Sequence, residues 1–162
     1  MVKISVIAAV DKNNVIGLMG DIPWHIPEDL QHFRDTVKDH IIICGRKTAE
    51  SLPKKYHNKD TIVISSKKWL DLGDCIVANS LFTAIGKAKQ KIAQENKPST
   101  IYIAGGGTIY KDAVLLADEL IITYVKEVHT GDTFFPEVQY SNWKATDVKR
   151  RPEFNIIYWR RK

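Results

Sequence analysis

Cysteine and long apolar runs are both scarce in this sequence, and each scarcity excludes a class of protein. Two cysteines among 162 residues, Cys44 and Cys75, are too few for a disulfide scaffold or a thiolate metal site. No stretch reaches the roughly 18 apolar residues that a transmembrane helix needs, and residues 1–6 lack the basic segment and apolar core of a signal peptide. We therefore expect free thiols, a cytoplasmic location and no membrane partner.

Internal repeats, low-complexity tracts and Pro/Gly/Ser-rich linkers are absent too, so no compositional boundary divides the chain. Its 44% apolar and 27% charged residues are close to the averages of globular proteins, and 162 residues suit one domain. The five histidines show no metal-ligand spacing, and no Gly-x-Ser-x-Gly nucleophile turn occurs. We expect residues 1–162 to form a single domain without a metal.

Positive charge is in modest excess, since 24 Lys and Arg against 19 Asp and Glu give +5. This excess suits an anionic partner but does not choose among nucleic acid, phosphate and carboxylate ligands. The basic clusters at residues 149–151 and 160–162 are short and lack interleaved aromatic side chains, so we interpret them as solvated surface and expect no nucleic-acid partner. A nucleic-acid-binding domain stays an alternative, which salt-dependent DNA or RNA binding would favour.

Strand and helix patterns alternate along the chain. Apolar, β-branched runs predict strands at residues 2–10, 41–44, 61–65, 75–78, 100–104, 119–128 and 154–159. Between several of them the apolar spacing is helical, and the predicted helix faces are Leu30/Phe33/Val37, Leu81/Ile85/Ala88/Ile92 and Ile109/Ala113/Leu116. Strands joined through helices favour an α/β fold with a mostly parallel sheet flanked by helices. Two late strand-like runs without an intervening helix predict an antiparallel C-terminal edge.

Residues 11–27 fit neither pattern and predict a long irregular loop. They carry Gly17, Gly20, Pro23 and Pro27 around isolated apolar residues. Loops of this length inside a compact domain are usually functional.

Asp29 follows this loop, in the first turn of the next predicted helix. A first-turn acid that interacts with the helix dipole would account for it. However, Ile22, Trp24 and Leu30 supply an apolar surround that should raise the pKa of the carboxyl by desolvation, as a proton donor near neutrality requires.

Three predicted turns combine glycine, hydroxyl and cationic residues. Residues 104–110 place Gly105, Gly106 and Gly107 between a strand and a helix, which suits a phosphate or simply a tight turn. The spacing is neither the dinucleotide fingerprint nor a P-loop. The other two turns are Gly45-Arg46-Lys47-Thr48 and Ser65-Ser66-Lys67-Lys68. In a parallel sheet all three lie at the carboxyl ends of strands, where such folds bind ligands.

In order along the chain, these motifs resemble those of the dihydrofolate reductase family. The similar segments are Ile7-Ala8-Ala9, Val15-Ile16-Gly17, residues 22–30, Gly45-Arg46-Lys47-Thr48, Ile64-Ser65-Ser66, residues 104–110 and residues 131–136. The resemblance implies a central eight-stranded sheet flanked by helices. It also implies NADPH-dependent reduction of 7,8-dihydrofolate to 5,6,7,8-tetrahydrofolate in one-carbon metabolism, and binding of antifolate inhibitors. We expect a monomer.

The resemblance also assigns roles to residues. Asp29 would hold the pterin and promote protonation at N5 while hydride goes to C6, Trp24 would order a water, and Ile22 belongs to the lid, residues 17–24. The pterin and benzoyl pocket would be lined by Ile7, Ala8, Leu30, Phe33 and Leu52, with Thr123 contacting Asp29. Cofactor-binding residues would be Ala9, Ile16, Gly17, Gly45, Arg46, Lys47, Thr48, Ile64, Ser65, Ser66, Lys67, Ala104, Gly105, Gly106, Gly107, Thr108, Ile109 and Tyr110. A cis peptide would join the first two of the three glycines.

Four features depart from the family's pattern. Lys59 stands where an arginine usually binds the substrate's glutamate carboxylate, and a lysine offers a point charge without the arginine fork. Val37 replaces a common threonine, and Cys44 replaces Met or Leu beside three isoleucines that predict burial. The C-terminal region is short, which leaves about residues 149–153 to join the last two strands.

A reductase of the same fold that acts on the ribosyl group of a riboflavin precursor is the nearest alternative. Asp29 beside Trp24 argues against it, and a dihydrofolate assay would separate the two activities. NADPH affinity would count against the nucleic-acid alternative.

Overall fold

The structure is a computed structural model that describes residues 1–19, 21–67 and 69–162, so Gly20 of the predicted lid and Lys68 lie outside the described residues. Within these ranges the chain forms ten strands and four α-helices. The strands are β1 (Lys3–Val10), β2 (Val15–Gly17), β3 (Ile41–Gly45), β4 (Thr61–Ile64), β5 (Ile76–Ala78), β6 (Thr100–Ile103), β7 (Glu119–Val125), β8 (Thr133–Phe134), β9 (Trp143–Arg150) and β10 (Phe154–Arg161). The helices are α1 (Pro27–Val37), α2 (Arg46–Ser51), α3 (Leu81–Glu95) and α4 (Gly107–Leu116).

Eight of the strands form one sheet in the order β5-β4-β3-β6-β1-β7-β10-β9. The pairings from β5 through β7 are parallel, whereas β10 runs antiparallel to both β7 and β9. This confirms the predicted mostly parallel sheet with an antiparallel C-terminal edge. The carboxyl ends of β1, β3, β4 and β6 therefore meet along one edge, and the three predicted turns lie there.

Apolar side chains cover both faces of the sheet, which explains why its strands read as continuous apolar runs. On one face α3 and α4 pack over Val6, Ile41 and Ile103, and on the other α1 packs over Ile42 and Ile121. Cys44 is fully buried beside α2, as its isoleucine neighbours predict, and both cysteines are free thiols. Among the described residues, no helix has both the length and the apolar character needed to cross a membrane.

Three details of the predicted elements are wrong. Leu116 is 51% exposed, because α4 buries Tyr110, Ala113 and Val114 instead of the predicted face through Leu116. The strand predicted at residues 119–128 ends at Val125, and the apolar-run criterion missed β9, an edge strand whose only buried residue is Trp143. Residues 151–153 join β9 to β10, in agreement with the short connection that the sequence predicts.

The predicted irregular loop contains a short strand. Within it, β2 pairs antiparallel with β8, with Val15 opposite Phe134 and Gly17 opposite Thr133. A buried carboxylate organises the start of the loop, since Asp11 accepts hydrogen bonds from the backbone N–H groups of Asn13, Val15 and His129. A three-residue strand is too short for a recognisable alternation, and its partner lies far along the chain, so sequence pattern alone did not find the pair.

Gly131 allows the segment just before β8 to approach β2 closely, and replacing this glycine tests that contact. A Cβ at this position would collide with the Val15 side chain and lie 2.7 Å from the Gly17 carbonyl oxygen. Gly131→Ala should lower the free energy of unfolding by about 1–3 kcal/mol, measured by urea denaturation followed by circular dichroism. The control is Gly86→Ala in α3, where an added Cβ meets no atom within 4 Å. There alanine should raise the free energy of unfolding by about 0.5–1 kcal/mol, because it favours a helix more than glycine does. Equal effects of the two substitutions would contradict the tight β2–β8 approach.

Candidate active site

Two cavities open along the carboxyl edge of the sheet. The first, which we call the apolar cavity, has about 460 Å³ and is lined by Asp21, Ile22, Trp24, His25, Ile26, Asp29, Leu30, Phe33, Arg34, Ser51, Leu52, Pro53 and Tyr56. The second, the glycine cavity, has about 200 Å³ and is lined by Ala9, Ile16, Gly17, Asp21, Ile22, Lys47, Thr48, Ser51, Ala104, Gly105, Gly106, Gly107, Tyr110 and Thr133. Because Asp21, Ile22 and Ser51 line both, ligands in the two cavities would lie side by side.

Asp29 is the carboxylate of the apolar cavity. It stands in the first turn of α1, which begins at Pro27, a residue whose fixed φ favours that position. Its Oδ1 accepts a hydrogen bond of 2.8 Å from the Thr123 hydroxyl, on the strand β7. Burial raises the pKa of Asp29 above its ordinary value, although the Thr123 hydrogen bond opposes the rise. The side chain is therefore anchored and suited to hold a proton closer to neutral pH than an exposed carboxyl does.

The walls around Asp29 are apolar and partly open to solvent. Leu30, on α1, is 38% exposed and Ile22 is 53% exposed, although both are large apolar side chains. Phe33, one turn along α1, faces Tyr56 edge to face at a ring-centroid separation of 6.0 Å. Exposed apolar groups beside a few polar groups are typical of a binding pocket for a flat organic ligand.

The predicted pocket residues Ile7 and Ala8 lie beneath the site. They are 5% and 7% exposed and belong to the two core clusters on opposite faces of the sheet. Neither is among the described residues that line the apolar cavity. They support the floor of the site, and the Tyr110 hydroxyl donates a 2.8 Å hydrogen bond to the Ile7 carbonyl oxygen.

The glycine cavity is shaped by close backbone approaches. The Gly105–Gly106 peptide is cis, and the N–H of Gly45 donates a 2.8 Å hydrogen bond to the Gly105 carbonyl oxygen. A Cβ at Gly45 would lie 3.0 Å from Ile109 Cδ1, and one at Gly107 would lie 3.0 Å from Thr133 Cγ2. Larger residues would therefore displace their neighbours and narrow the cavity.

The start of α4 supplies hydrogen-bond donors to this cavity. No side chain among the described residues caps Gly106, so the first-turn N–H groups of α4 are available to an anion. Lys47 and Thr48, from the first turn of α2, line the same cavity and add a cation and a hydroxyl. This combination suits a phosphate better than a neutral ligand.

A second basic group lies beside the glycine cavity. Gly45 of β3 is paired with Ile64 of β4, so Arg46 and Ser65, the next residue of each strand end, are neighbours at the sheet edge. Ser66 and Lys67 are exposed there, and the Ser65 hydroxyl oxygen accepts a 3.1 Å hydrogen bond from the Lys67 N–H. Arg46 makes a 3.7 Å ion pair with Glu50, which is partly exposed and therefore weak. Reorienting these side chains toward an anionic ligand would therefore cost little free energy.

Lys59 is not brought to the apolar cavity. It is exposed in a groove with Asp74 and Lys91, and its neighbour Asp60, which also lines the groove described next, pairs with Lys97 at 3.0 Å. A different groove, which we call the outer groove, adjoins the apolar cavity instead. It has about 500 Å³ and is lined by Gln31, Arg34, Asp35, Val37, Lys38, Asp39, His40, Ile42, Lys55, Tyr56, Asn58, Asp60 and Thr61. Arg34 and Tyr56 line both spaces, so among the described residues Arg34, and not Lys59, brings a positive charge to the apolar cavity.

Sequence reasoning missed several lining residues, and the signals of four of them differ. Thr133 belongs to a segment that resembles the family, but no role was assigned to it. Ser51 lies one turn after Thr48 on α2, a spacing that would have indicated it. Tyr56 lies outside the segments that resemble the family, and Asp21 lies within the predicted lid but had no individual role. Among the described residues, no group of three or more His, Cys, Asp or Glu side chains is placed to hold a metal ion.

Comparisons with known proteins agree with this geometry. The profile of the family described as dihydrofolate reductase matches residues 3–157. Dihydrofolate reductase HdrB of Haloferax volcanii is 33% identical over 165 aligned residues, covering 99% of this chain and 84% of that protein. Dihydrofolate reductase of Bacillus subtilis is 37% identical over 147 residues, covering 91% and 83% of the two chains.

A solved structure extends the similarity to the backbone. Dihydrofolate reductase from Enterococcus faecalis, complexed with NADP(H) and RAB-propyl, superimposes with a TM-score of 0.82 at 26% identity, over 99% of this chain and 96% of that one. The family profile spans both cavities and nearly the whole eight-stranded sheet. For these reasons the chain belongs to the dihydrofolate reductase family.

Proposed function

We propose that this protein reduces 7,8-dihydrofolate to 5,6,7,8-tetrahydrofolate with NADPH, by transferring hydride to C6 and a proton to N5. The observation that carries the proposal is Asp29, held by Thr123 in an apolar cavity that shares a wall with the glycine cavity. One cavity suits a flat heterocycle and the other suits a phosphate-bearing cofactor. The names of the relatives and the NADP(H) bound to the Enterococcus faecalis enzyme support this choice of reaction.

Asp29 would orient the pterin and manage its proton. An ionised carboxylate accepts hydrogen bonds from the 2-amino group and N3 of the ring, which fixes the face that is presented for reduction. Because burial raises the pKa of Asp29, the carboxyl also holds a proton more readily than an exposed one and favours protonation at N5. Trp24 lines the same cavity, where it would order a water between the carboxyl and the ring.

The glycine cavity fits the phosphates of NADPH. When bound, this cofactor supplies the hydride. Gly105, Gly106, Gly107 and the first turn of α4 would hold its pyrophosphate, because side chains at these positions would occupy the space. The 2′-phosphate would be bound by Arg46 with Ser65, Ser66 and Lys67.

Several other residues of the glycine cavity would surround the nicotinamide end of NADPH. Ala9, Ile16, Gly17 and Ala104 line the glycine cavity, and Ile22 lines both cavities. The Ile22 side chain would shield the reacting groups from solvent, which would favour hydride transfer over loss of the hydride to side reactions. Residues 17–24 would act as the lid over this region.

The anionic tail of the substrate would run into the outer groove. Arg34 and Tyr56 line the junction between the apolar cavity and this groove, and the Lys55 ammonium lies 5.3 Å from the centre of the Tyr56 ring. We therefore assign the attraction for the tail carboxylate to Arg34, with Lys55 in support. Lys59 would contribute little.

The role of Asp29 is tested by Asp29→Asn. This variant should keep NADPH binding but reduce dihydrofolate about 10²–10⁴-fold more slowly at neutral pH, with partial recovery in acid, where N5 takes its proton from solvent. Stopped-flow measurement of NADPH oxidation across pH provides the profile. The matched control is Glu28→Gln, since Glu28 occupies the same helical turn but is exposed and paired with Arg151 at 3.4 Å. Undiminished turnover in the Asn variant at neutral pH would exclude the assignment.

The raised pKa of Asp29 also predicts a gain in stability for the same variant. A carboxyl whose folded pKa is raised stabilises the protein fully below its unfolded pKa, and this contribution is lost as the pH rises through the folded pKa. The melting temperature of Asp29→Asn should therefore exceed that of the parent at pH 7, and the difference should shrink as the pH approaches about 4. Scanning calorimetry at several pH values measures this difference, and a pH-independent difference would contradict the desolvated carboxyl.

Selection of NADPH over NADH is tested by Arg46→Ala. Loss of a charge-assisted contact should weaken NADPH binding about 10- to 100-fold, while NADH binding stays unchanged. Lys111→Ala on the exposed surface of α4 is the control, because it removes the same charge elsewhere. If Arg46→Ala weakened both cofactors equally in fluorescence titrations, the 2′-phosphate would be bound by other residues.

Recognition of the tail is tested by comparing Arg34→Gln with Lys59→Gln. The first should raise KM for dihydrofolate about three- to tenfold with kcat unchanged, because tail contacts are the same in the ground and transition states. The second should have little effect, and the difference between the variants should fade at high salt. A larger rise in KM for Lys59→Gln would return the tail site to Lys59.

A further inference from the structure

Trp24 separates two cavities. With His25 and Ile26 it lines both the apolar cavity and a second space of about 370 Å³, which we call the rear cavity. The rear cavity is also lined by Val125, Lys126, Glu127, His129, Pro152 and Glu153. One side of the indole therefore faces the reaction site, and its orientation depends on what supports it from the rear cavity.

His129 provides that support. Its imidazole lies against the Trp24 indole with a ring-centroid separation of 5.0 Å and an interplanar angle of 52°. Tilted aromatic pairs at this separation are attractive beyond the area that they bury. His129 follows the end of β7 and Trp24 precedes α1, so the contact ties the loop before Asp29 to a loop far along the chain.

The His129 backbone is itself anchored. Its N–H donates a 2.7 Å hydrogen bond to Asp11 Oδ2, while Oδ1 of Asp11 accepts from Asn13 and Val15. Burial alone would raise the pKa of Asp11, but these backbone donors hold it below its ordinary value. Since Asp11 directly follows β1 and is 2% exposed, it fixes His129 relative to the central sheet.

The ring of His129 is held by its tilted contact with the Trp24 indole. Its Nδ1 is buried and, in the part of the chain that the structure describes, has no hydrogen-bond partner. A planar apolar ring of similar size would therefore make the same contact with Trp24, whereas a branched aliphatic side chain would fill the space without the aromatic face.

We propose that His129 is a positioning residue, whose ring holds Trp24 in the orientation that the reaction requires. The proposal rests on the proposed reductase function, because it acts through the Trp24 indole at the Asp29 cavity. Asp11, His129 and Trp24 form a continuous support from the end of β1 to the wall of the apolar cavity. His129 does not itself line that cavity among the described residues.

The test compares His129→Phe with His129→Leu, and uses Val128→Ala as a control at an exposed neighbour in the same loop. Protein labelled with 5-fluorotryptophan carries four fluorine signals, from Trp24, Trp69, Trp143 and Trp159, and loss of one signal in Trp24→Phe assigns it. In His129→Leu the Trp24 signal should shift and broaden while the other three stay in place. In His129→Phe and Val128→Ala it should stay close to the parent signal.

Kinetics provide the second readout. His129→Leu should lower kcat for dihydrofolate about two- to tenfold with the Kd for NADPH unchanged, and His129→Phe should restore kcat. An unmoved Trp24 signal in His129→Leu, or equal loss of kcat in the Leu and Phe variants, would overturn the proposal. If the parent does not reduce dihydrofolate, the proposed function fails, whereas the fluorine spectra still decide whether His129 positions Trp24.

Discussion

Parallel pairing of β1 with both β6 and β7 is the constraint on which the site depends. It places the carboxyl ends of neighbouring strands at one edge and covers both faces of the sheet with helices. The glycine turn after β6 and the Asp29 helix after the loop from β1 can meet only at that edge. Thr123, near the end of β7, reaches Asp29 for the same reason, and the site is thus a consequence of strand order.

Asp29 shows how the requirements of stability and of chemistry oppose each other. An apolar cavity disfavours an ionised carboxylate, so the residue that would handle the proton weakens the folded state near neutral pH. Asp11 is the contrasting case, because backbone N–H groups surround its buried carboxylate and lower its pKa. The pKa values of two aspartates near the same loop are therefore shifted in opposite directions, upward by burial at Asp29 and downward by backbone N–H donors at Asp11.

Most of the sheet could be predicted from the sequence, because buried parallel strands leave continuous apolar runs such as residues 41–44. The edge strand β9 and the pair β2–β8 could not, since one is polar and the other is too short to show a period. Asp29 could be identified as a candidate site residue from its apolar neighbours in the sequence. For Lys59, sequence alignment places the residue along the chain but does not give the direction of its side chain, which lies in a groove with Asp74 and Lys91.

The hydrogen bond between Thr123 and Asp29 joins residues 94 positions apart, which has a consequence for biosynthesis. The central strand β1 is also completed by partners from the later part of the chain, β6 and β7. Pairings of such long range make folding slow compared with helical proteins of the same size. On the ribosome, the Asp29 carboxylate therefore lacks its Thr123 partner until β7 has emerged, so the site cannot form before that stage of translation.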